Sequence, residues 1–138
     1  MRTVSAILAA SCVAVVVGCA GGPERDHAQT YPSQKRIGPT LDIQVLRGQG
    51  EITMTNASGR AFGPVNMWLN QWYVLPIDGL EVGETKTIRL DRFIDEHGER
   101  FRVGGFFATK APERLVLAQF ETEEEMVGLI VVRPREER

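Results

Sequence analysis

From residue 40 onward the chain alternates between apolar and polar positions. In LDIQV, residues 41–45, Leu41, Ile43 and Val45 fall on one side and Asp42 and Gln44 on the other. That is the period-two signature of a strand with one buried face. EITMTN repeats it with Ile52 and Met54 inward, and Arg47–Gly50 and Asn56–Arg60 supply turn residues on either side. VNMWLNQWYVLPI, residues 65–77, reads as a hairpin with Asn70 and Gln71 at its tip, because Asn tolerates the left-handed backbone of a tight turn. On that register Leu69 faces Trp72, Met67 faces Val74, and Trp68 faces Tyr73. The expected core face is then Val65, Met67, Leu69, Trp72 and Val74, with Asn66, Trp68, Tyr73 and Leu75 on the other.

Further along, Gly83 predicts a turn before a strand that carries Ile88 and Leu90. DRFIDEHG, residues 91–98, has the layout of a one- or two-turn helix, with Asp91 as cap, Phe93 and Ile94 buried and Gly98 as stop. FRVGGFFA reads as an irregular edge, its Gly pair permitting a bulge. RLVLAQFE and MVGLIVV are strands joined through Thr122–Glu125. About seven strands with a turn signal every 8–12 residues predict an all-β fold, a β-sandwich.

The first 18 residues break this pattern. Arg2 and the amino terminus are cationic, and Val4–Val17 is apolar or small without a charge. A charged start and a short apolar run make a secretory signal peptide, and the run falls short of the roughly 20 apolar residues of a spanning helix. It ends in Val16-Val17-Gly18-Cys19, which resembles the lipobox of bacterial lipoproteins. The resemblance implies cleavage before Cys19 and lipid on that cysteine's sulfur and its new amino terminus. Two or more acyl chains anchor stably where one does so marginally. Ala20 follows Cys19, where an Asp in many Gram-negative lipoproteins retains the protein at the inner membrane. The implied address is outside the cytoplasm, at the outer membrane facing the periplasm in a Gram-negative cell.

Residues 20–39 hold Gly, Pro and mixed charges, with Tyr31 and Ile37 as the large apolar residues. They read as a disordered tether with a root-mean-square span of roughly 25 Å. The expected organisation is therefore a signal peptide (1–18), lipidated Cys19 with its tether (19–39), a β-sandwich (40–134) and a short tail (135–138). The Trp on a central strand, LNQWY, and LEVGET before the next strand resemble the immunoglobulin-like or fibronectin-III-like domains of bacterial lipoproteins. Both core cysteines of antibody-type domains are missing.

Composition changes the picture little, except at sulfur and charge. There are two cysteines; Cys12 leaves with the signal peptide and Cys19 is acylated, so the mature chain has neither a thiol nor a disulfide to stabilise it. The formal charge of −2 gives no reason to expect nucleic acid or an anionic membrane surface as a partner. Ser33 falls in the tether and Ser58 in a turn, there is no G-x-S-x-G, and the domain holds one histidine, His97. This argues against nucleophilic catalysis, and the expectation is no enzyme, no cofactor and no metal. The densest polar cluster is Asp91, Asp95, Glu96, His97 and Glu99. Its residue types could ligate a metal or serve a small enzyme, yet its spacing matches neither an EF-hand loop nor H-E-x-x-H, and a solvated turn explains it. Trp68 and Tyr73, if exposed together, would form an aromatic platform for a glycan, peptidoglycan or protein partner; if covered, they are core. The reading is a lipid-anchored envelope protein with an interaction or structural module, and a carbohydrate-binding module is the alternative.

Overall fold

The computed structural model describes residues 27–133. The expected signal peptide, Cys19, residues 20–26 of the expected tether and the expected tail lie outside them. Within them are seven strands, β1 Arg36–Arg47, β2 Glu51–Asn56, β3 Val65–Leu69, β4 Tyr73–Ile77, β5 Thr85–Arg89, β6 Ala118–Glu121 and β7 Glu125–Val132, and a single 3-10 turn at Leu90–Arg92. No helix among the described residues is long and apolar enough to cross a membrane.

The fold is all-β, as the alternation predicts. The strands nevertheless form one mixed sheet in the order β4-β3-β6-β7-β1-β2-β5, curled into a half-barrel, where two face-to-face sheets were expected. Its seam explains the difference. β4-β3-β6-β7 and β1-β2-β5 are each antiparallel, the arrangement of two separate sheets, but β1 and β7 pair in parallel from Arg36↔Glu125 to Leu46↔Val132. β1 runs for twelve residues, with register shifts between Ile37 and Thr40 and between Thr40 and Gln44. Such irregularities bend a strand, and this long bent strand stitches the two halves together. Its first four residues, Arg36–Pro39, fall inside the expected tether, so the ordered domain starts earlier than residue 40.

At the seam one glycine gives Thr40 its room. A Cβ on Gly128 would stand 2.6 Å from Thr40 Oγ1 across the β1–β7 pairing. Alternate residues of every strand then fill the concave side: Ile43 and Val45, Ile52 and Met54, Met67 and Leu69, Leu75 and Ile77, Ile88, Phe120, Val127 and Leu129. Phe62, Leu80, Leu90, Phe93, Phe101 and Leu115 from the connections close this core.

The hairpin departs from its expected register. Leu69 pairs with Tyr73, Trp68 with Val74 and Met67 with Leu75. Asn70 and Gln71 do form the tip, with φ of 55° and 57°, and the Trp72 N–H donates to the Leu69 carbonyl (3.0 Å). Trp72 is one extra residue beyond that turn, and a one-residue slip flips every later side chain to the opposite face. Tyr73 and Leu75 therefore enter the main core, Val74 goes to the convex side, and Trp72 is 49% exposed rather than core.

Two other elements differ. The helix expected over 91–98 is only the 3-10 turn, with no side-chain cap, although Phe93 and Ile94 are buried and Gly98 takes φ 79° as expected of a stop. Residues 114–117 precede β6 without joining it.

Candidate functional site

Three places could carry function, and each is built from the strands outward. The first is the convex face. Trp68, Val74 and Met126 form a small second core there, and Tyr31 covers it, edge-on to Trp68 at 5.3 Å between centroids. The residues before β1 thus form a strap. Tyr31 Oη donates to Gln119 Oε1 (2.9 Å), Thr30 Oγ1 to Glu96 (2.8 Å), and Lys35 Nζ to Glu121 Oε1 (3.0 Å) and the Thr122 carbonyl (2.7 Å). Glu121 Oε2 also accepts from Trp68 Nε1 (2.8 Å) and Asn66 Nδ2 (3.3 Å). Burial alone would raise the Glu121 pKa, but the hydrogen bonds from Trp68, Lys35 and Asn66 outweigh it and hold the carboxyl below its ordinary value.

This settles where the two aromatic candidates stand. Trp68 is fully buried under the strap and Tyr73 is 6% exposed in the concave core. They belong to opposite faces of the sheet and share no open surface, because the hairpin slip separates them.

The second place is the acidic cluster of residues 91–99. Asp91 pairs with Arg89. Asp95 Oδ1 accepts the backbone N–H groups of His97 (2.9 Å) and Glu99 (2.8 Å), and Oδ2 accepts Trp72 Nε1 (3.3 Å). Glu96 holds Thr30 of the strap and lies 3.5 Å from His97 Nε2. These carboxylates shape a loop, and among the described residues no group of three or more His, Cys, Asp or Glu is placed to hold a metal ion.

The third place was not singled out in the sequence. It is the end of the half-barrel where β1, β3 and the residues before β6 meet the loop of residues 102–114. The loop's base is fixed: the Glu113 N–H donates to the Arg102 carbonyl (2.8 Å), and Arg102 Nη2 pairs with Glu113 Oε2 (2.6 Å). Arg47, at the end of β1, donates to the Glu113 carbonyl and lies over the Phe101 ring, 5.5 Å from its centroid. Phe101 in turn stands edge to face with Tyr73 (5.0 Å), whose hydroxyl reaches Glu113 Oε2 at 3.5 Å. Burial first, and the Glu113 charge second, raise the Tyr73 pKa; burial draws Arg47 below its ordinary value, against the pull of Glu113.

Asn70 ties the hairpin tip to this end. Its Nδ2 donates to the Arg114 carbonyl (2.6 Å), and its Oδ1 accepts from Val116 (2.9 Å) and Leu117 (3.2 Å). Two open clefts flank the loop. One of about 770 Å³ lies between Arg47–Gly50 and Val103–Phe106, and the other, of about 560 Å³, between Leu115–Val116 and Val131–Arg133. Arg47 and Arg114 line both. Guanidinium groups over apolar walls suit binding of an anionic or amphipathic partner. Arg47, Glu113 and Arg114 carry no motif, so only their convergence in space identifies them.

Compared with known proteins, the chain matches no family model, no curated protein and no solved structure.

Proposed function

We propose that the chain is a lipid-anchored envelope protein outside the cytoplasm, and that its half-barrel is a binding or structural module rather than an enzyme. The observation that carries this reading is the charge-free run Val4–Val17 ending in Val16-Val17-Gly18-Cys19. Its spacing to the domain supports it: the strap that packs on the sheet begins within a dozen residues of Cys19, as Thr30 and Tyr31 are already held. Cleavage before Cys19 and acylation would leave a short tether and a β domain beside the membrane, facing the periplasm from the outer membrane in a Gram-negative cell.

The burial of Trp68 and Tyr73 on opposite faces speaks against the glycan platform, and the clefts at Arg47 and Arg114 favour contacts at the loop end. The test is fractionation of cells that express the wild type and Cys19→Ala. The wild type is expected in the membrane fraction and the variant in the soluble or unprocessed pool. An unchanged distribution would refute the anchor.

A further inference from the structure

We propose that the loop carrying Phe106 and Phe107 is a second, non-covalent membrane contact that docks on an anionic phospholipid surface. This rests on the anchored reading above and adds to it the face that the domain turns toward the bilayer.

The two rings are 95% and 91% exposed, and they pack edge to face on each other at 5.0 Å. Neither belongs to either core cluster. They occupy the centre of a turn closed by the Ala108 N–H on the Gly105 carbonyl (3.1 Å). Gly104 and Gly105, with φ of 81° and 145°, bend the chain out to that tip. A side chain at Gly104 would collide with Pro112, 2.9 Å from its Cβ. Two large apolar rings held in water at a projecting tip are a contact surface awaiting an apolar medium.

Charge and reach select the medium. Residues 102–114 carry Arg102, Lys110 and Arg114 against Glu113, a net charge of 3 − 1 = +2 in a chain of net −2. Arg47 adds a cation at the same end. Aromatic side chains flanked by cations are the composition that lies in the headgroup region of anionic bilayers. The strap also passes close to this end. Gln71 donates to the Tyr31 hydroxyl (3.4 Å) on one side of the hairpin tip, and Asn70 holds the Arg114 carbonyl at the loop's base on the other. Between Cys19 and His27 lie eight residue steps, at most about 28 Å of chain. An anchor on Cys19 therefore keeps this end within reach of the surface that holds the lipid.

The experiment uses the lipidated full chain on vesicles of phosphatidylcholine with phosphatidylglycerol, and on phosphatidylcholine alone. A polarity-sensitive dye is attached at Ala108→Cys or, as the far-end reference, at Glu124→Cys; flotation reports anchoring in parallel. On anionic vesicles the dye at 108 is expected to shift to the blue and to be quenched by spin-labelled lipid, while the dye at 124 stays solvent-like. Adding Phe106→Ser and Phe107→Ser should lower the inserted fraction about tenfold or more while the chain still floats. A floating chain whose dye at 108 is as solvent-exposed as that at 124 overturns the inference and leaves the anchor standing. An equal shift on vesicles without phosphatidylglycerol overturns the choice of an anionic surface. A chain that fails to float refutes the anchor, and the inference falls with it.

Discussion

Glu121 joins Lys35 of the strap to Trp68 and Asn66 of β3, and removing its carboxylate has a measurable cost. Three donors converge on it: the Trp68 indole at 2.8 Å, Lys35 at 3.0 Å and Asn66 at 3.3 Å. In Glu121→Ala the indole N–H of a fully buried Trp68 loses its acceptor, at about 1–3 kcal/mol. Loss of the partly exposed pair with Lys35 adds up to about 1 kcal/mol. The expected destabilisation is about 1–4 kcal/mol by urea unfolding at neutral pH. Glu121→Gln keeps an acceptor for the indole and should cost about 1 kcal/mol. Because the folded pKa is depressed, the ionised form contributes stability above the unfolded value of about 4.3, and that stability is lost as pH falls through the folded pKa. The wild type should therefore weaken more steeply than Glu121→Gln below about pH 4.3, with amide exchange rising first over residues 30–36. Parallel acid profiles for the two proteins, or a Glu121→Ala stability within about 0.5 kcal/mol of wild type, would show that the carboxylate does not hold Trp68 and Lys35 in place.

The two tryptophans should separate sharply: Trp68→Ala is expected to cost about 3–5 kcal/mol, whereas the half-exposed Trp72→Ala should stay within about 1 kcal/mol, both by urea unfolding. Equal costs would contradict the hairpin register. Gly79 has φ 124°, and a Cβ there would stand 2.2 Å from the Phe62 carbonyl oxygen. Gly79→Ala should lose about 2 kcal/mol or more, and a neutral outcome would rule out that close approach. Titration of tyrosinate absorbance should show a phenol ionising above the ordinary value that disappears in Tyr73→Phe and moves down in Glu113→Gln; no change in either variant would refute the assignment.

Much of the strand pattern was legible because it rests on local alternation. Ile43 and Val45, Ile52 and Met54, and Ile88 face the core as their period-two spacing requires. The joining of the two halves was not, because it depends on a parallel pairing between residues about 89 apart, Arg36 with Glu125, and sequence spacing carries no trace of such a partner. The Gly and Pro of residues 36–39 mask the start of β1. At Gly38 a Cβ would stand 2.6 Å from the carboxyl carbon of Glu125, which Arg36 and Arg60 hold in place. At the hairpin the tip residues were readable, but the extra Trp72 was not, since its place is fixed by tertiary contacts of Asn70 and Asp95. That single residue moved Tyr73 into the core and undid the aromatic platform. The loop end shows the same limit: Arg47 and Glu113 are 66 residues apart and meet only in the fold.

Intact mass analysis of the chain purified from membranes reads the anchor itself. A mature protein is expected that begins at Cys19 and carries the added mass of acyl chains on that residue, with no free thiol detected by alkylation. A chain that retains residues 1–18, begins elsewhere, or presents an unmodified and alkylatable Cys19 would contradict it.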